Sequence, residues 1–174
     1  MEYQEITLED VMQFRDLKNC IQETLIKNGK QSVVISLGMN IPGPRKTGPS
    51  IKAAFEEGRN QLECLVKENE GKLLKKIVLE ESAGYAAIYL VANIDVAGLK
   101  TIGVQLEEHH ALGRLFDIDV FSEEGQSISR EFIGAEKRKC MICSEDAKVC
   151  GRSRKHTIAE LQEKVSEIIS QWKE

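Results

Sequence analysis

No apolar run in this 174-residue chain is longer than a strand requires, so nothing in it reads as a membrane-spanning helix. The acidic opening MEYQEITLED lacks the basic and apolar regions of an export signal. A cationic excess is missing too: the formal net charge is −4, which excludes nonspecific nucleic-acid binding by the molecule as a whole. Neither an internal repeat nor a low-complexity linker interrupts the chain. Proline is scarce, and two of the three, Pro42 and Pro44, fall in one loop. The five cysteines are an odd number in a chain without an export signal, which points to a reducing cytoplasm rather than a disulfide framework.

What is present suffices for one domain over residues 1–174, with 41% hydrophobic content to build a core. Apolar residues at Val11, Phe14, Leu17, Ile21 and Leu25 recur at helical spacing, with Thr7 as cap and Gly29 as stop. Val33, Val34 and Ile35 read as a strand covered on both faces. A loop through NIPGPRKTG leads to a second amphipathic helix through Ile51, Phe55, Leu62 and Leu65. Three strand candidates follow, KKIVLEESAG, AAIYLVANI and KTIGVQLEEHH, with GRLFDIDVF as a fourth. Residues 157–174 form a last helix, opened by a Thr157/Glu160 capping box. Helix, strand, helix, four strands and helix predict an α+β fold: a mixed or largely antiparallel sheet with helices packed on one side or end. A nucleotidyltransferase-like arrangement is one form it takes. Cys20 and Cys64 lie on apolar helix faces and read as core.

Two constellations carry chemistry. In GRLFDIDVF a strand period of two puts Asp117 and Asp119 on one face and Phe116, Ile118 and Val120 on the other. The two carboxylates are either the solvated rim of an edge strand or the ligands of a divalent cation that also takes phosphate oxygens. Cys140, Cys143, Cys150 and His156 supply four thiolate or imidazole donors within 17 residues, enough for a tetrahedral Zn²⁺. The bland alternative is a small core of reduced thiols. Both lie in or beside a segment, 136–156, where seven cations face three acids; its charge of +4 leaves −8 on the remainder and suggests a discrete polyanionic ligand. The loop at Gly43 and Lys46 is either a plain turn or a phosphate cradle ahead of a helix N-terminus. His109, His110 and His156 are available as bases or phosphate contacts.

In this order and spacing, LEEHHALGRLFDIDVFSEEGQSISR, then RKCMICSEDAKVCGRSRKH, with Pro42, Gly43, Pro44 and Lys46 upstream, resembles the apo-citrate lyase phosphoribosyl-dephospho-CoA transferases, also called holo-citrate lyase synthases. The resemblance implies a nucleotidyltransferase-type enzyme. Its donor would be triphosphoribosyl-dephospho-CoA, its acceptor a serine of the citrate lyase acyl-carrier subunit, and its by-product pyrophosphate. Asp117 and Asp119 would then hold Mg²⁺, either could accept the serine proton, and Arg114, His110, Lys46 and Gly43 would contact phosphate. The basic segment would meet either the donor or an acidic carrier; nucleic acid and membrane are not expected partners. Two other readings stay open: a non-catalytic, zinc-stabilised adaptor for an acidic carrier protein, and a nucleotidyltransferase with another acceptor, such as the malonate decarboxylase carrier.

Overall fold

The computed structural model describes residues 6–173. Helix α1 (Leu8–Asn28) leads to strand β1 (Val33–Met39), α2 (Pro49–Glu68), the hairpin β2 (Lys72–Glu81) and β3 (Gly84–Ala92), α3 (Val96–His109), β4 (Phe116–Phe121), α4 (Ala147–Ser153) and α5 (Ile158–Lys173). Short 3₁₀ turns at Gly113–Leu115 and Arg130–Ile133 flank β4. The sheet has the order β2-β3-β1-β4 and is antiparallel at every pairing, so the α+β expectation holds in its antiparallel form. Among the described residues no helix is long and apolar enough to cross a membrane.

Local signals explain the termini of α1 and α5. Thr7 Oγ1 accepts from Asp10 N at 3.2 Å while Asp10 Oδ2 accepts from Thr7 N at 2.8 Å, and Thr157 with Glu160 repeats the exchange at 3.2 and 2.7 Å. Glu174, the expected last residue of α5, lies outside the described residues.

One expected strand is a helix. Residues 100–109 lie in α3, with His110 as its C-cap and Asp95 as its N-cap, whose Oδ1 accepts from Gly98 N at 2.7 Å. Thr101, Ile102 and Val104 give the segment a β-branched look, but Leu99, Ile102 and Leu106 recur at helical spacing and all enter the core. Gly103 permits the packing: a Cβ there would stand 2.8 Å from Ile118 Cγ2, so the missing side chain lets α3 lie close against β4. Helix α4 also arises inside the basic segment, where no element was expected.

Both faces of the sheet are covered, rather than one side or end. The larger core joins Ile35, Leu37, Tyr89, Phe116, Ile118 and Val120 to apolar residues of α2, α3 and α5; on the other face Val34, Ile88 and Leu25 meet beneath α1. Cys20 and Cys64 are exposed, contrary to the expectation that they are core. Each helix buries one stripe against the sheet, and these cysteines lie outside it.

Candidate active site

Strand β4 sorts its side chains by alternation. Phe116, Ile118 and Val120 are buried in the larger core, while Asp117 is exposed and Asp119 half-buried on the opposite face. Ser36 stands opposite Asp119 and Gly38 opposite Asp117 on β1. Gln22 Nε2 of α1 donates to Ser36 Oγ at 3.0 Å, which marks this as the α1 side of the sheet. Burial pushes the Asp119 carboxyl above its ordinary range, and the neighbouring Asp117 carboxylate pushes it further; Lys18 and Lys100 pull it down.

Two cavities meet at the pair. One, of about 530 Å³, contains both aspartates and is lined by the cations Lys100, Arg130, Lys137, Arg138 and Lys148. The other, of about 290 Å³, lies under α1 and brings Arg15, Lys18 and Lys46 to the same Asp117. Larger hollows beside α5 and beside the cysteine cluster have no such carboxylate pair in their walls. Every expected substrate contact can therefore be judged by where it stands relative to Asp117.

Lys46 is brought in: it lines the smaller cavity, with Nζ donating to the Ile41 carbonyl at 2.5 Å, and burial lowers its pKa. Gly43 is not. Its φ of +78° favours glycine, and a Cβ would come within 2.4 Å of Gln162 Nε2 and 2.8 Å of Ile158 Cγ2, so the loop is closed down on α5 at that point. His110 lies on the opposite face of the sheet. Its ring packs on Phe116 at 5.5 Å, Nδ1 accepts from Leu112 N at 3.0 Å, and Nε2 stands 3.5 Å from Glu57 Oε1. Arg114 acts as a brace: one guanidinium nitrogen donates to the carbonyls of Lys139 and Cys140, at 2.6 and 2.5 Å, fastening the start of β4 to the cysteine segment. Burial, then the charges of Arg138 and Arg130, lower its pKa.

The sequence reading missed the centre of this network because it assigned Glu107 to a strand. Glu107 is 6% exposed. It takes an ion pair from Arg130 Nη2, another from Arg138 Nη1 at 3.5 Å, and the β4 backbone N–H of Ile118 at 2.8 Å. Arg138 in turn donates to the Arg114 carbonyl at 2.7 Å and stands 3.9 Å from Asp117 Oδ1. A buried carboxylate that satisfies two guanidinium groups holds their charge at the cleft wall. The available signal was the seven-residue spacing of Lys100 and Glu107, which places both on one helical face.

Next to this wall the four expected metal donors converge. The Sγ atoms of Cys140, Cys143 and Cys150 and a ring nitrogen of His156 all lie within 4.8 Å of one another; Cys143 Sγ is 3.4 Å from Cys150 Sγ and 3.3 Å from His156 Nε2. Tetrahedral Zn–S bonds of about 2.3 Å would set sulfurs roughly 3.8 Å apart, a spacing that falls between the shortest and the longest separations in the cluster. Burial pushes the Cys150 thiol up to about 12, helped by Cys143 and Cys140. At Cys140 burial acts in the same sense, but hydrogen bonds from the backbone of Cys143 and Ile142 and from the other thiols outweigh it and lower the pKa. Such crowding of thiols is what a bound cation relieves.

Comparison with known proteins places the chain among the transferases. Residues 6–172 match the family model of apo-citrate lyase phosphoribosyl-dephospho-CoA transferase, and the chain belongs to that family. A relative from Streptococcus pyogenes serotype M5 (strain Manfredo), which bears that enzyme's name, is 34% identical over 167 residues, covering 94% of this chain and 85% of its own length. One from Vibrio cholerae serotype O1, with the same name, is 29% identical over 135 residues and covers 78% and 76%. The protein CitXG of Leuconostoc mesenteroides subsp. cremoris is 29% identical over 165 residues; the match takes in 94% of this chain but 35% of that longer protein.

Proposed function

We propose that this protein transfers the phosphoribosyl-dephospho-CoA group from triphosphoribosyl-dephospho-CoA to a serine of the apo citrate lyase acyl-carrier subunit, in the cytoplasm, with release of pyrophosphate. The observation that carries the reading is the Asp117/Asp119 pair opening into a cation-lined cleft, in a chain of this family. The serine oxygen bonds to the phosphorus that keeps the ribosyl group, the bond from that phosphorus to the bridging oxygen breaks, and pyrophosphate leaves. Asp119, half-buried beside Asp117 on the cleft face of β4, accepts the serine proton. Arg138 and Arg130, braced by Glu107, hold phosphate oxygens on one side of the pair, and Lys46 and Lys18 do so on the other. Two same-face carboxylates suit Mg²⁺, which when bound at Asp117 and Asp119 offsets charge on the phosphate oxygens.

Cys140, Cys143, Cys150 and His156 hold a structural Zn²⁺ in this reading. The ion's role is to fix the segment that carries Lys137, Arg138 and Lys148 to the cleft, through the Arg114 link to the Cys140 carbonyl. Metal analysis of protein purified without added metal checks it: about one equivalent of zinc is expected, and none returns the thiols to a plain core.

Intact-mass spectrometry of apo carrier incubated with the protein, Mg²⁺ and the donor tests the reaction. The expected result is a gain of one phosphoribosyl-dephospho-CoA, absent with Asp117→Asn. Carrier binding without a mass gain would favour the adaptor, and modification of the malonate decarboxylase carrier alone would move the acceptor.

A further inference from the structure

Helix α3 presents two buried charged side chains to the cleft, and they differ in one respect. Glu107 is saturated, with Arg130, Arg138 and the Ile118 N–H on its oxygens. Lys100, two turns earlier on the same helical face, is equally buried at 6% exposed, lines the same cavity, and among the described residues has no hydrogen bond or ion pair. Among the described residues it acts on the Asp119 carboxyl at longer range, lowering its pKa.

Lys100 is buried along its length and lines the cleft, so its ammonium has given up part of its water and received no acceptor from the protein in return, which is costly. It carries three donors and no acceptor, so only an anionic or strongly accepting group can satisfy it. The neighbouring aspartates stand beyond ion-pair distance, and every other cation on that wall is more exposed than Lys100 or already tied to Glu107. From this we infer that Lys100 is a phosphate-binding residue: it contacts the pyrophosphate part of the donor, and its missing partner is supplied by substrate. A compact ammonium serves a phosphate oxygen as a point charge and demands no fixed plane, which suits a group that binds and then departs. The inference rests on the reading of this cleft as the active site, and it names the residue that grips the leaving group.

The test is calorimetric titration of inorganic pyrophosphate with Mg²⁺ into the full chain and into Lys100→Met and Lys100→Arg, with a thermal melt of each. Pyrophosphate is expected to bind the wild type. Affinity should fall about 10- to 100-fold in Lys100→Met and recover in part in Lys100→Arg. The melting temperature of Lys100→Met should stay level or rise, because a buried charge has been removed. A purely structural lysine, paired at a distance with Asp119, would instead lower the melting temperature and leave pyrophosphate affinity unchanged, and that result overturns the assignment. So does an absence of pyrophosphate binding to the wild type. If the methionine variant does not fold, acetylation of Lys100 in the wild type, read by peptide mass spectrometry, replaces it: protection by pyrophosphate is expected, and equal labelling with and without it defeats the assignment. Failure of the two readings is separable. Carrier modified at the wild-type rate by Lys100→Met defeats the lysine alone, whereas pyrophosphate bound through Lys100 with an unmodified carrier defeats the transfer reaction alone.

Discussion

The two faces of β4 divide six residues between packing and charge. On one face Phe116, Ile118 and Val120 are pressed against α2 and α3 with no room to spare; on the other Asp117 and Asp119 crowd each other beside hollows lined with cations. The first face gains by removing water and the second by holding charges that would be more comfortable apart. A strand allows this because its period of two keeps the accounts separate.

The comparison is broken most severely by neutralising the charged face. Asp117→Asn and Asp119→Asn are each expected to lower carrier modification by about 10²- to 10³-fold while the protein still folds, measured by intact mass and circular dichroism. On the other face Phe116→Ala should do the reverse, destabilising the fold by about 3–5 kcal/mol in denaturant titration, since the ring is fully buried. Removal of the proposed zinc with a chelator, followed by restored Mg²⁺, falls between: activity should drop before the sheet melts, because the Cys140 carbonyl is tied to Arg114 at the cleft wall. Following activity and the thermal melt against chelator concentration checks the order.

The smallest effect sharpens the contrast through pH. Asp119 has its folded-state pKa raised, so ionisation costs the fold: the penalty is absent below the unfolded value near 3.8 and grows as pH rises through that value and the folded one. Asp119→Asn should therefore be more stable than the wild type at neutral pH, with the advantage shrinking to nothing in acid. Melting temperatures of the two proteins across a pH series measure it.

Much of this was legible before any coordinates. Thr7 and Thr157 announced their helices through capping boxes, and the alternation of β4 placed both aspartates on one face. The Cys140, Cys143, Cys150 and His156 donors were visible by spacing, and they converge. Residues 100–110 misled because β-branched residues imitate a strand when the local window is short; only packing against Ile118 across Gly103 decides for a helix. That one exchange concealed Lys100 and Glu107, whose importance depends on a helical period. His110, close to the aspartates in sequence, and Gly43, in an upstream motif, do not join them in space, since the sheet separates the first from them and α5 occupies the room beside the second. Cys20 and Cys64 show the limit of reading a helix alone: the sequence displays an apolar stripe without saying how wide its cover is.

The sheet also has to stop somewhere, and its two margins stop in different ways. Strand β2 keeps an open rim and defends it with charge, through Lys72, Lys75, Lys76, Glu80 and Glu81. Strand β4 has part of its rim occupied: the Ile118 N–H is taken by Glu107, and the Val120 carbonyl accepts from Ile128 N at 2.8 Å. A neighbouring molecule seeking to extend the sheet finds charge at one margin and two of the rungs already taken at the other. The carboxylate that steadies the cleft is thus also a guard against fibrous self-association.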